Sequence, residues 1–304
     1  MQELVANSEK MRIVLRLAQR VAPTDSTVLI TGESGTGKNT LCKFIHSKSK
    51  RAGRDLVNID CAALPKELIE AELFGFERGA FTGATESKTG RLEAAHKSTL
   101  LLDEIALVPF ESQAKLLRVL EEREFERLGG RKIFKIDVRV IATTNVELEA
   151  AIERKTFRED LFFRLNVMRI ELPPLRERQA DIPDLCDYFL RFFSAKHGLK
   201  DIILEKNALD MLQKYNFPGN IRELSNLLER AVLTADNNKV TVGNFPQLLP
   251  NTGSEKKCLT LAELEARHVR ETLILTRGNK TEAAKLLGIS RKNLYERIAR
   301  HENQ

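Results

Sequence analysis

The chain has 304 residues, 42% apolar and 30% charged, with a net charge of +6 at neutral pH; this is a soluble, helix-rich composition with enough apolar mass for about two domains and a small third. No apolar run approaches the roughly 20 residues needed to span a bilayer, and the opening MQELVANSEK lacks the apolar core of a secretory signal. Cys42, Cys61, Cys186 and Cys258 are widely spread without paired metal-ligand spacing, which argues against a disulfide framework or a zinc site and fits a reducing cytoplasm.

In chain order, residues 11–21 have helical spacing and residues 27–31 (TVLIT) read as a strand that ends at glycine. Further apolar runs at 57–60, 99–103 and 138–143, each bounded by polar groups, predict a parallel sheet covered by helices, with ligands beyond the carboxyl ends of its strands. From about Pro173 the strands stop. Residues 181–196, 205–215 and 221–235 read as helices of a small helical subdomain. The polar stretch 251–257 (NTGSEKK) reads as a linker, and T-x-x-E at 260–263 as a capping box that opens a last helical domain. The expected division is 1–172, 173–250, a linker at 251–258, and 259–304. Residues 251–304 carry +4 of the total charge of +6, which marks this tail as the first candidate for nucleic-acid contact, against the bland reading of a solvated basic face.

GESGTGK at 32–38 follows a strand and precedes a helix. Glycines at Gly32, Gly35 and Gly37, with Glu33, Ser34 and Thr36 between them, let successive backbone N–H groups turn inward as a nest for phosphate oxygens. Lys38 then reaches the β and γ phosphates. Asn39 stands where a Ser or Thr hydroxyl would face Mg²⁺, and Thr40 lies one position too late to be a simple replacement. LLLDE at 100–104 is the second half of the pattern. An apolar strand delivers Asp103 to hold Mg²⁺ and Glu104 to polarise a water as general base. Asn145 closes a third strand, where a carboxamide orients the water or senses the γ-phosphate; a turn cap is the simpler alternative.

Together these segments resemble the AAA+ activators of sigma-54 RNA polymerase, the NtrC-like bacterial enhancer-binding proteins, from about residue 2 to the C-terminus. GAFTGA at 79–84 is the family's signature hexapeptide, and it is intact. FREDLFFRLNV, LPPLRER and PGNIREL also match, and GNKTEAAKLLGISRKNLYERI resembles the Fis-like helix-turn-helix. The implied fold is α/β: a AAA+ P-loop ATPase with a parallel sheet, a helical lid subdomain and a small all-α helix-turn-helix domain. The resemblance implies ATP and Mg²⁺ as cofactors. It also implies a loop, Gly79, Ala80, Phe81, Thr82, Gly83 and Ala84, that grips the sigma factor. Read by themselves, the two glycines give a mobile turn with an aromatic at its tip, and leaving Phe81 in water forgoes about 1.5–3 kcal/mol of burial. The alternative is that Phe81 folds back on its own domain.

Arg158 and Arg164 resemble the family's trans-acting pair, and Arg222 its cis-acting lid arginine. A surface ion pair with Glu159 or Asp160 is the plainer reading of Arg158 and Arg164. Completion of the site across a subunit boundary implies a homo-oligomeric ring, and the resemblance implies that this ring is a hexamer or heptamer. Three positions depart from the family pattern: Asn39 replaces a usual glutamate, Asp60 an asparagine that restrains the catalytic glutamate, and Ala106 a common glycine. No receiver or ligand-sensing module is expected before Val5 in this sequence, which implies either control by other means or a piece of a longer protein.

In the tail, Asn279 caps one helix, whose buried side is Ala283, Ala284, Leu286 and Leu287. Gly288 gives the turn and Ser290 caps the next helix, with Leu294 and Ile298 inward. Arg291, Lys292 and Asn293 then approach the major groove, with Arg297 and Arg300 toward phosphates. A helical hairpin used only for dimerisation is the alternative. The expected protein is cytoplasmic, without membrane contact, and remodels the sigma-54 RNA polymerase closed complex from double-stranded upstream DNA through paired DNA-binding domains. The competing reading is a DNA-binding regulator that uses ATP only as a ligand or assembly signal. A generic AAA+ remodeller such as a helicase loader fits GAFTGA and the helix-turn-helix less well.

Overall fold

The computed structural model describes residues 4–199, 202–248, 265, 268–270, 272, 273, 276 and 278–302, the side chains of 298–302 excepted. The predicted linker at 251–257, the capping box at 260–263 and the side chains of Ile298 and Arg300 lie outside the described residues. The chain divides into two compact units, Met1–Pro246 and Gln247–Gln304.

The first unit is built on a five-stranded, all-parallel sheet. Its strands are β1 (Val28–Thr31), β2 (Val57–Asp60), β5 (Thr99–Asp103), β8 (Arg139–Thr144) and β9 (Met168–Glu171), in the order β2-β5-β8-β1-β9. The period-2 alternation of a strand decides what each residue covers. Leu29, Leu100, Leu102, Val140 and Ala142 enter the core on one face, while Val28, Ile30, Leu101 and Ile141 enter the core on the other. Both faces are therefore buried, which is why these strands read as continuous apolar runs. The second face is covered by α1 (Glu9–Val21) and α2 (Lys38–Ser47). Helix α1 buries Met11, Val14, Ala18 and Val21, one stripe at helical spacing, and its first turn is capped by the Ser8 hydroxyl at 3.3 Å from the Met11 N–H. The first face is covered by α3 (Lys66–Phe74), α4 (Arg91–Ala94), α5 (Phe110–Glu122), α6 (Leu148–Glu153) and α7 (Glu159–Leu165).

Two hairpins interrupt this frame. β3 (Gly75–Phe76) and β4 (Lys88–Thr89) pair antiparallel and carry residues 79–84 between them; β6 (Glu124–Glu126) and β7 (Ile133–Lys135) form the other. β9 was not among the strands expected from sequence. It is an edge strand with only Ile170 fully buried, and its charged Arg169 and Glu171 keep it from standing out as an apolar run.

The lid comprises α8 (Ile182–His197), β10 (Ile203–Leu204), α9 (Lys206–Lys214), α10 (Asn220–Leu233) and β11 (Lys239–Val240), with α8 packed on α10. A two-residue parallel pairing of β10 with β11 is the only strand content the lid has among the described residues, so the helical expectation holds.

In the second unit, α11 (Lys280–Leu286) is capped by the Asn279 carboxamide oxygen, which accepts from Thr281 and Glu282 N–H at 3.2 and 3.4 Å. The start of α12 (Arg291–Glu302) is capped by Ser290, whose hydroxyl accepts from Asn293 N–H. Ala283, Ala284, Leu294 and Val269 form its core, with Leu287 and Ile289 against it. Leu286 does not belong to this core: it is 67% exposed. No helix among the described residues is long and apolar enough to cross a membrane.

Candidate nucleotide site

The P-loop follows β1 and leads into α2, so its N–H groups sit where the helix dipole favours an anion. A cavity of about 340 Å³ opens over it. Residues 34–40 form its floor, Asp103 and Glu104 one side, and Ile221, Arg222 and Ser225 of α10 the other. Leu4, Val5, Leu185 and Phe189 line the apolar end, which suits a flat aromatic base.

Lys38 is buried and its ammonium donates to the carbonyls of Gly32 (2.9 Å) and Glu33 (3.3 Å), with Glu104 Oε1 at 3.4 Å. Glu104 sits at φ +54°, a left-handed conformation that turns its carboxylate off the end of β5. Its backbone N–H donates to Thr143, and its Oε2 accepts from the Asn145 N–H at 3.0 Å. The contribution of Asn145 at this point is its backbone N–H, whereas the sequence reading rested on its carboxamide. Asp103, at the tip of β5, accepts from the Thr143 hydroxyl on one oxygen and from the Asn39 amide on the other, the latter at 2.6 Å. The donor set here is hard oxygen: a carboxylate, the Asn39 carbonyl and, with nucleotide, phosphate. This fits Mg²⁺ held with waters. No group of three or more His, Cys, Asp or Glu side chains able to hold a metal by themselves occurs among the described residues. Thr40 also lines the cavity.

Asp60, paired in register with Asp103 on the next strand, does not reach Glu104 by hydrogen bond. Its Oδ1 accepts from Ala62 (2.9 Å) and Ala63 (3.3 Å) N–H, so the acid is spent on its own turn. The neighbouring Cys61 thiol is pushed up to about 12 by burial, with Asp60, Asp103 and Glu104 adding to it; it is inert as a nucleophile.

The lid grips the P-loop through contacts that, that of Arg222 apart, the motif reading did not include. Asn220, at φ +53°, donates to Glu33 Oε2 (3.1 Å) and the Ser34 carbonyl (3.0 Å) while accepting from Leu175 N–H (2.7 Å). Ile221 N–H donates to the Gly35 carbonyl at 3.0 Å. Arg176 is bidentate to Glu33, and together with Asn220 it holds that carboxyl below its ordinary range. Arg222 donates to the Ser34 hydroxyl at 2.9 Å. Gly35 has no room for a side chain: a Cβ would stand 2.3 Å from the Gly219 carbonyl oxygen. The lid loop, as much as phosphate approach, thus requires this glycine.

The wall at the apolar end is fixed by Asp181, which is fully buried. It accepts from Asn7 N–H (2.6 Å), Ser8 N–H (2.7 Å) and the Ser8 hydroxyl (2.9 Å), so Leu4 and Val5 are tied to the start of α8. Asp181→Ala leaves these buried donors unmatched, at about 1–3 kcal/mol for each. It is expected to lower unfolding free energy by about 3 kcal/mol or more, read as a fall in the urea midpoint with an unchanged slope.

Neither Arg158 nor Arg164 lines this cavity. Arg158 forms the ion pair with Asp160 that the plainer reading anticipated, with contacts of 3.0 and 2.7 Å. Arg164 donates to the Leu120 carbonyl at 3.3 and 3.0 Å. Beside them Phe163 and Val167 are exposed apolar side chains.

Residues 79–84 form a closed turn: Gly79 N–H donates to the Ala84 carbonyl (2.9 Å) and Ala84 N–H to the Phe81 carbonyl (3.0 Å). Thr82 is exposed, Ala80 half-buried and Ala84 buried. Phe81 is 42% exposed and meets Phe76 edge-on, ring centroids 5.0 Å apart. Phe81 thus remains an exposed tip aromatic, with one edge contact to Phe76 from its own hairpin. The β6–β7 hairpin supports the same turn, with Leu128 exchanging hydrogen bonds with Gly75 and Glu77, both at 2.9 Å, and Gly129 close against Ala80.

In the second unit Arg291, Lys292 and Asn293 are exposed at the start of α12, whereas Arg297 pairs with Glu265. Lys280 and Arg291 stand over the Tyr295 ring at 4.6 and 6.0 Å.

Comparison with known proteins gives three matches along the chain: the Sigma-54 interaction domain over residues 4–171, the AAA+ ATPase lid domain over 176–260, and the bacterial regulatory protein, Fis family, over 260–301. The transcriptional regulatory protein FlbD of Caulobacter vibrioides is 40% identical over 99% of this chain and 70% of its own length. The formate hydrogenlyase transcriptional activator of Salmonella typhimurium is 44% identical over 98% of this chain; the chain spans 44% of that protein. The crystal structure of NtrX from Brucella abortus in complex with ATP superposes with a TM-score of 0.77 at 36% identity, covering 98% of this chain and 69% of that one.

Proposed function

The chain belongs to the sigma-54-interacting AAA+ ATPases that carry a Fis-type helix-turn-helix, and from that premise we propose that it hydrolyses ATP at a seam between neighbouring copies of a closed ring and so drives residues 79–84 against sigma-54 RNA polymerase. The observation that carries this reading is the placement of Glu104, held between Lys38 and the Asn145 N–H at the edge of the P-loop cavity. A triphosphate in the nest competes with Glu104 for the Lys38 ammonium. Once the lysine turns to phosphate, the carboxylate is free to take a proton from an attacking water. Mg²⁺, when bound, screens the phosphate charge and orients it; Asp103 and Asn39 are the residues that would hold it.

Arg158 and Arg164 lie outside the chain's own cavity, which supports a role opposite a neighbour's phosphate. For Arg158 the cost of leaving Asp160 is small, since an exposed ion pair is weak in water. Arg222, on the Ser34 hydroxyl, reports the state of the P-loop to α10. The second unit binds upstream double-stranded DNA as a pair, with Ser290 capping the helix start and Arg291, Lys292 and Asn293 entering the major groove. The Arg297 pairing with Glu265 leaves it less free for phosphate.

Thr82 makes the decisive test because it is exposed and does not line the cavity. Thr82→Ala is expected to leave ATP turnover within about twofold of wild type and to abolish open-complex formation on a sigma-54 promoter, read by permanganate footprinting. Normal promoter opening by this variant would refute the loop's role.

A further inference from the structure

Arg178 stands between the 3-10 turns Leu175–Glu177 and Gln179–Asp181, where the chain passes from β9 into the lid. It is 3% exposed and lines the nucleotide cavity. One guanidinium nitrogen donates to the Thr36 carbonyl of the P-loop at 2.7 Å, while Nε has no partner. Among the described residues no carboxylate forms an ion pair with it. Burial brings its pKa down to about 10, opposed only by the field of Asp181, so it remains a cation at neutral pH.

A buried cation without a counter-charge is costly. Among the described residues Arg139 is likewise buried and likewise has an unpartnered Nε, but its surroundings differ. It donates to the Ala22 and Val21 carbonyls at 2.6 and 2.9 Å, at the C-terminal end of α1, where the helix dipole is negative. Arg178 has one carbonyl and lies against the N-terminal, positive end of α2. An anion in the adjoining cavity would balance it, and the P-loop nest and Lys38 make that anion a polyphosphate.

We propose that Arg178 is a nucleotide-positioning residue: it fixes the P-loop nest from the lid side through Thr36, and its buried charge favours the polyphosphate of ATP and ADP alike. The proposal rests on the reading that the P-loop cavity binds adenine nucleotide. It differs from the role given to Arg158 and Arg164, because it acts on ground-state binding within one chain and therefore alters Kd more than turnover at saturation.

The test uses the whole chain, ADP titration calorimetry and the melting temperature without nucleotide. Arg178→Gln keeps an N–H for Thr36 and removes the charge. It is expected to weaken ADP about tenfold or more, to flatten the salt dependence of that affinity, and to leave the nucleotide-free melting temperature unchanged or higher. Arg178→Lys, which keeps the charge, is expected to stay within about threefold of wild type. Unchanged ADP affinity in Arg178→Gln would overturn the proposal. So would a weakened affinity that comes with a lower melting temperature and is not rescued in Arg178→Lys, since that pattern belongs to a structural role alone. If Arg178→Gln does not fold, a loss beyond tenfold in Arg178→Lys overturns the charge argument and retention supports it. Lys38→Ala separates the two readings: if wild type fails to bind ADP, or Lys38→Ala binds it unchanged, the nucleotide reading itself falls.

Discussion

Glu104→Gln is expected to lower ATP turnover by about 10²–10⁴-fold, the usual worth of a positioned general base, while ATP affinity stays equal or tightens. The carboxamide keeps the shape of the side chain and can still accept from the Asn145 N–H, so the strand end should not move. What it loses is the ability to take a proton. It also loses its negative charge 3.4 Å from Lys38, which frees that ammonium for phosphate. Single-turnover hydrolysis with nucleotide affinity measured alongside checks both halves. Turnover near wild type would show that Glu104 is not the base, and would favour the reading in which ATP is only a ligand or assembly signal.

Arg158→Ala and Arg164→Ala are each expected to remove about 10³-fold or more of the rate, by analogy with the scale of arginine fingers, with nucleotide binding spared. Wild-type turnover per chain should rise with protein concentration, because each site is completed by a neighbour. Mixing an excess of Glu104→Gln chains with Arg158→Ala chains should restore hydrolysis: the first supplies arginines and the second a working base. The two arginines need not be equal. Arg158 is tied to an exposed carboxylate that is easily left, whereas Arg164 holds the Leu120 carbonyl at the end of α5 and its loss also disturbs the packing of α7 on α5. Turnover that is independent of concentration and retained in both variants would leave no place for a shared site.

Much of the site was legible from the chain alone because phosphate chemistry is local. A glycine-rich turn must lie between a strand and a helix, and an acidic pair must lie at the tip of an apolar strand; both are short-range patterns. The adjacency of β1 and β5 to one pocket was inferable only as a rule about strand ends. The order that places β8 between them, and so brings Thr143 and Asn145 to Asp103 and Glu104, is a property of the sheet. The second arginine of LPPLRER and the asparagine of PGN carried no visible chemistry in sequence. Their partners, Thr36, Glu33 and Ser34, lie more than 140 positions away.

The sequence by itself determined the alternation of strands and helices, the identity of the phosphate-binding turn, the family signature at residues 79–84 and the basic C-terminal helices, because each depends on residues a few positions apart. Only the tertiary structure decided that Asp60 serves its own turn, that Asn39 holds Asp103, that Phe81 rests on Phe76 and that Leu286 faces outward. Those outcomes depend on which surfaces meet when distant segments pack. A polar group takes whichever partner burial brings within about 3 Å, and no local pattern names that partner in advance.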